Sequence, residues 1–198
     1  MNTKNKTYRL VIRAILTAII ILQTMVPFLG FIPIGITSLI HITVIVAAIV
    51  LGTKDGMFIG LVWGIFTIIR AFTSPTTPLD ITVFTNPIIS VLPRVLVGLV
   101  AGILFTGLYR KTKKVVLASI VAAIFGTLTN TVLVLTLMGT LYTSLVATTY
   151  GVDASALFVT LGAIAVTNGV SEVITAVILT PILVKALFAA TSLRPENR

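Results

Sequence analysis

Apolar residues along the chain gather into six long runs, each near the roughly 20 residues that a membrane-crossing helix requires. The runs predict helices over Val11–Gly30, Gly35–Gly52, Gly56–Phe72, Ile88–Tyr109, Val115–Met138 and Ala156–Ala190. The last is longer than a bilayer demands, so it must tilt or project beyond the lipid. The connections are of two kinds. Leu51-Gly52-Thr53-Lys54-Asp55-Gly56 reads as a tight turn between helices, whereas Phe72–Asp80 is rich in Pro, Ser and Thr and is expected to be irregular and partly ordered. Gly139–Ser155 is also polar and is expected to be mobile. Long connections on one face often carry binding or gating, so the site is expected on that face. No repeat of fixed period stands out, and an inverted-repeat transporter gains no support. The predicted fold class is an all-α integral membrane protein, one domain of six transmembrane helices over 1–198. Residues 1–10 form a basic N-terminus and 191–198 a tail.

Charge gives this arrangement a direction. Of the 198 residues, 57% are hydrophobic and only 10% charged, with 14 Lys and Arg against 5 Asp and Glu. A soluble domain averages about 25% charged residues, and a disordered chain is poor in apolar ones. A net charge of +9 could point to nucleic acid, but a mean hydropathy of +1.16 favours cations gathered at one membrane face. Lys4, Lys6, Arg9, Arg13, Lys54, Arg110, Lys111, Lys113, Lys114, Lys185, Arg194 and Arg198 all fall on one side when alternate helix ends are counted. The opposite connections, near 30–35, 73–87 and 139–155, contain no Lys or Arg. The positive-inside rule then predicts an N-in, C-in topology. The cluster 110–114 reads as a positive-inside anchor rather than a nucleic-acid site. A cleaved signal peptide is a rival reading of the N-terminus. The apolar run is too long and lacks a small-x-small cleavage pattern, so a retained first helix is expected.

Two cations, Arg70 and Arg94, remain inside or at the ends of spanning segments, where charge needs a partner or a task. Glu172 lies in the sixth segment with Asn168 one turn before it, Asn130 in the outer half of the fifth, and His41 in the outer half of the second. Asn86-Pro87 opens the fourth, and Trp63 lies mid-helix in the third. All these polar positions fall in the outer half or near the midplane. That depth suits a pocket open to the outside and sealed below; a pore would carry polar groups through both halves. Arg94 and Glu172 either pair to lock two helices or serve a ligand. Asp80 is expected in solvated loop, which leaves Arg70 uncompensated and free to hold an anion or to snorkel to the headgroups. His41, Asn130 and Asn168 either join helices or contact a ligand. Trp63 is core or pocket wall, and Phe72 and Phe84 flank the outer connection.

Motifs for chemistry are missing. The sequence contains no GxxxxGK[ST] and no HExxH, and its single His and lack of Cys argue against a zinc site. Neither an enzyme activity nor a resident metal or cofactor is expected of this chain. Ala14 and Ala18 on the first helix have the four-residue spacing that lets another helix approach closely.

The stretch from His41 to Gly56, followed by Gly60-Leu61-Val62-Trp63-Gly64, Asn86-Pro87 and Leu92-Pro93-Arg94, resembles the S components of energy-coupling factor (ECF) vitamin transporters. Residues 37 to 105 carry most of the match, which is strongest to the pantothenate-specific branch. Thr43 and Thr53 stand where proline is expected. The resemblance implies a bacterial plasma-membrane protein that takes a vitamin into an outward pocket capped by outer loops. It implies partners as well: a transmembrane coupling protein docked on the Ala14/Ala18 face, and two cytoplasmic ATPases. ATP and its magnesium belong to those partners, and the loaded subunit topples to deliver its ligand inward. Arg94, Asn130, Asn168, Glu172, His41, Arg70, Trp63 and Asn86 are the expected substrate contacts. Pantothenate is ranked first, then folate or riboflavin, with a stand-alone proton-coupled transporter using Glu172 as the alternative class.

Overall fold

The structure, a computed structural model, describes residues 3–26, 31–32, 37–191, 193 and 195–197. Its helices are α1 Thr3–Met25, α2 Ile40–Val50, α3 Thr53–Thr73, α4 Pro78–Thr82, α5 Pro87–Ser90, α6 Leu92–Thr112, α7 Val115–Leu141, α8 Thr143–Tyr150 and α9 Leu157–Ala190. Strands β1 Phe31–Ile32 and β2 Thr37–Ser38 pair antiparallel just before α2. Among the described residues, α1, α3, the α5–α6 pair, α7 and α9 are long and apolar enough to cross a membrane, and α2 is a shorter apolar helix.

The bundle is organised around α2. Its sequence IHITVIVAAIV is apolar on every side, and a helix without a polar stripe belongs in the interior. Every one of its 11 residues is buried, enclosed by α1, α3, α6, α7 and α9. At about 1.5 Å per residue it is only some 16 Å long, half a membrane. The predicted start at Gly35 is therefore too early: Thr37–Ser38 belong to the β ladder and the helix begins at Ile40. Gly30 and Gly35 lie outside the described residues, as do Arg194 and Arg198. The first helix also differs from its prediction, being helical from Thr3 and ending at Met25. Lys and Arg are good helix formers, so they extend it at the basic end.

The third, fifth and sixth runs fold close to their predicted bounds. The fourth is interrupted at Val91, between α5 and α6. Pro93 is the cause: lacking an N–H, it cannot bond the carbonyl four residues earlier, that of Ile89. Both long connections contain helix: the first, expected to be irregular and partly ordered, holds α4 and α5, and the second, expected to be mobile, holds α8. Asn86 caps α5 by accepting from the Ile88 N–H, Thr77 and Asp80 form a capping box on α4, and 143–150 forms α8.

Glycines let α3 and α6 approach backbone to backbone. A Cβ at Gly98 would collide with the Gly56 carbonyl group, and one at Gly102 with Thr53. Gly52, at φ 109°, makes the turn into α3 that a side chain would oppose. At the basic end, Arg9 and Arg13 of α1 clasp Asp55 in the first turn of α3, at 2.5 and 3.3 Å. Two apolar clusters result. One surrounds α2; the other joins α4, α5, α8 and the neighbouring ends of α7 and α9 through Leu79, Val83, Ile89, Val134, Met138, Val146, Ala147, Leu157 and Leu161.

Candidate functional site

A cavity of about 400 Å³ lies where these two clusters meet. Its walls come from the C-terminal half of α3 (Trp63, Thr67, Arg70), α4 and its approach (Thr76, Thr77, Leu79, Asp80, Phe84), and Arg94 of α6. Asn130, Thr131, Val134, Leu135 and Met138 of α7, Tyr150, and Ile164, Asn168 and Glu172 of α9 complete it with Thr24, Ser38 and Ile40. It thus lies opposite the bundle end that carries Arg9, Arg13, Lys54 and Arg110–Lys114.

Arg94 is 6% exposed. Its Nη1 donates to the Ile89 carbonyl, the acceptor that Pro93 leaves vacant. The guanidinium carbon lies 5.0 Å from the Trp63 ring centre and 5.9 Å from that of Phe84. Among the described residues no carboxylate lies within ion-pair distance of Arg94, and its Nε has no hydrogen-bond partner. A buried cation without a counter-charge is costly unless something else supplies one.

Arg70 is different. Its Nη2 lies 3.0 Å from Asp80 Oδ1, and Asp80 is only 3% exposed. The expectation of a solvated Asp80 and an uncompensated Arg70 is corrected. Asp80 faces inward because the second carboxylate oxygen accepts from the Thr76 N–H and hydroxyl, both at 2.7 Å, and from the Thr77 N–H at 2.9 Å. Thr77-Pro78-Leu79-Asp80 is a capping-box sequence, which was the available signal. Burial pushes the Asp80 carboxyl up, but the Thr76 and Thr77 donors and Arg70 outweigh it and hold the carboxyl below its ordinary value. A group with a depressed folded pKa stabilises the fold above its unfolded value, about 3.9, and that contribution is lost as the pH falls through the folded one. Asp80→Asn is accordingly expected to cost about 2 kcal/mol. At about 3 °C per kcal/mol, the melting temperature falls by roughly 6 °C. Melting curves taken against pH will show the acid-side loss in the parent chain shrink in the variant.

Glu172 sits across the cavity. Its Oε1 accepts from the Ser38 N–H at 3.4 Å and its Oε2 from the Thr131 hydroxyl at 3.2 Å. Glu172 forms no ion pair with Arg94. Asn168 lines the wall one turn earlier on α9, and Asn130 Oδ1 is buried without a partner. The structure therefore brings Arg94, Arg70, Trp63, Asn130, Asn168 and Glu172 to one cavity. Asn86 stands outside the lining as the α5 cap, donating to the Tyr142 hydroxyl at 3.1 Å. His41 is also outside it, 1% exposed, with Nε2 unpartnered in the bundle interior. Phe84 is in the wall, whereas Phe72 is 67% exposed. Thr24, Ser38, Thr67 and Thr131 escaped the sequence reading because threonine and serine recur throughout the helices and commonly bond the carbonyl four residues back, as Thr67 does to Trp63. On α1, Ala14 and Ala18 are exposed, on a face shared with Leu10, Val11, Ile15 and Leu22.

The model of the family "ECF transporter, substrate-specific component" matches residues 8–184. The chain belongs to this family. It is a multi-pass bacterial membrane protein, an S component by descent. "Pantothenate transporter PanT" of Leuconostoc mesenteroides is 41% identical over 109 residues, 52% of this S component and 53% of that relative. "Pantothenic acid transporter PanT" of Lactococcus lactis is 37% identical over 165 residues, 77% of this chain and 78% of that one. This S component thus spans about half the length of the first relative and most of the second.

Proposed function

We propose that this S component captures pantothenate from outside the cell and delivers it inward with an ATP-driven coupling module. The observation that carries the reading is Arg94, a buried guanidinium at the cavity wall with no carboxylate partner among the described residues. A ligand carboxylate supplies the missing charge, and its two oxygens match the parallel N–H donors of an arginine edge. Glu172, Asn130, Asn168 and Thr131 offer acceptors and donors for an amide and hydroxyls across the cavity. About 400 Å³ is small within the range of ligand sites, about 300–1,000 Å³. Folate, with two carboxylates and a large ring system, finds one free guanidinium rather than two, because Arg70 is already paired. Riboflavin calls for a wide slot that is apolar throughout, and this wall is interrupted by the polar groups of Arg94, Asn130, Asn168 and Glu172. The names of both relatives support the same choice.

In this reading the bundle end opposite the basic residues faces outward, as the positive-inside rule expects. The ligand enters beneath the cap of α4, α5 and α8. Ala14 and Ala18 receive the coupling protein, and two ATPases supply the energy, with ATP and magnesium bound there. Calorimetry of the purified protein against a vitamin panel tests the ligand: pantothenate is expected to bind, and folate, riboflavin and thiamine are not. Binding of another vitamin with pantothenate silent would refute the assignment.

A further inference from the structure

The sequence spacing Gly60-x-x-x-Gly64 puts two glycines on one face of α3, a turn apart. Trp63 belongs to the same part of the helix and lines the cavity. The glycines face the start of α6 and the break before it. A Cβ on Gly60 would overlap the carbonyl group of Arg94, and one on Gly64 would come within 2.6 Å of the Ser90 carbonyl oxygen and 2.7 Å of the Val91 Cα. Unstrained carbon contacts lie near 3.5–4.0 Å. No residue larger than glycine fits either position without moving the chain that carries Arg94. Glycine is among the poorest helix formers, so two of them here need a reason.

The closeness bears on the guanidinium itself. Three contacts fix its attitude: Nη1 to the Ile89 carbonyl, the Trp63 ring at 5.0 Å and the Phe84 ring at 5.9 Å. The Trp63 contact spans the gap between α3 and α6 directly, while the Ile89 and Phe84 contacts depend on how the chain around the α5–α6 break is seated against α3. Gly60 sets the height of the Arg94 backbone over α3, and so its reach to Trp63. Gly64 seats Ser90, which is fully buried and donates its hydroxyl to the Phe84 carbonyl at 2.5 Å. Ile89 is the next residue in the same turn. With these contacts made, Nε is left buried and unpartnered. Gly98 and Gly102 already bring the helices together further along, at Gly56 and Thr53. Bundle packing therefore has its own glycines, and Gly60 and Gly64 act where the ligand-facing arginine starts.

We propose that Gly60 and Gly64 form a positioning notch that aims the free guanidinium edge of Arg94 at a ligand carboxylate. The inference rests on the assignment of that carboxylate to Arg94 under "Proposed function". Its test compares pantothenate with pantothenol, the alcohol that replaces the carboxylate by a hydroxymethyl group. Both are titrated into the parent protein and into Gly60→Ala, Ser90→Ala, Arg94→Ala and Gly107→Ala, the last facing open space. A misaimed guanidinium loses the carboxylate bond and little else. Gly60→Ala is expected to reduce the preference for pantothenate over pantothenol by about tenfold or more, the worth of one charged hydrogen bond. Ser90→Ala, which adds no volume, is expected to reduce it by a smaller factor, and Gly107→Ala to leave it alone. If Gly60→Ala does not fold, Ser90→Ala alone decides. A parent-like preference in the folded variants, or a fall in which both ligands weaken by the same factor, overturns the notch. An Arg94→Ala protein that still prefers pantothenate as the parent does would instead overturn the carboxylate assignment beneath it.

Discussion

Replacing Arg94 by alanine is expected to weaken pantothenate binding by about two orders of magnitude while leaving a folded, helical protein. Removing one partner of a buried, hydrogen-bonded charge pair typically costs about 2–5 kcal/mol, and every 1.4 kcal/mol is tenfold. In this protein the loss falls on binding rather than folding. Among the described residues the unliganded guanidinium has only the Ile89 carbonyl and two aromatic rings as partners, and no carboxylate there depends on it. Its removal relieves a desolvated charge, so the unliganded melting temperature should hold or rise. Arg94→Lys keeps the charge but not the planar edge, and is expected to recover only part of the affinity. Calorimetry and thermal melting, with and without pantothenate, check both halves of this expectation. An arginine that served only to join helices would show the reverse, with lower stability and unchanged binding.

Placing tryptophan at Ala18 is expected to reduce ATP-driven pantothenate uptake to background while binding stays near the parent value. Ala14 and Ala18 are exposed on α1, whereas Ile12, Leu16 and Ile20 on the other side of the same helix are buried in the bundle. The outer face contains small residues flanked by Leu10, Val11, Ile15 and Leu22, and close helix–helix approach in lipid depends on such small positions. A bulky side chain keeps a docking helix away without touching the cavity. The comparison is made in proteoliposomes holding the complete transporter, with ligand binding measured on the isolated subunit. Uptake at the parent rate would remove this face from the docking surface, and uptake without any ATPase would favour a proton-coupled carrier.

The helices were legible because lipid imposes a simple rule: each spanning segment must be apolar and about 20 residues long. The depth of the polar residues was legible for a related reason, since an ionisable group in a spanning segment needs a partner or a task. Six of the eight expected contact residues lie in one cavity wall. What sequence could not supply was pairing. Asp80 and Arg70 are ten residues apart, and only the turn at Thr76–Thr77 brings the carboxylate inward to neutralise the arginine. That fold-back decides which of the two arginines remains free. The sequence predicts too long a second helix because strand residues Thr37–Ser38 run into the apolar stretch with no Pro or Gly between them. Asn86, read as a contact, is used as a helix cap, a role its place before Pro87 suits equally well. The roles of Thr131 and Ser38 toward Glu172 come from segments 41 and 134 residues away, which no local pattern encodes.

The central claim is that the cavity holds a small anion by its carboxylate against Arg94. Titrating the parent protein with pantothenate and with pantothenol, under the same conditions, tests it most directly. The account predicts that pantothenate binds about a hundredfold more tightly, the worth of a buried charged pair. Equal affinity for the acid and the alcohol would contradict it.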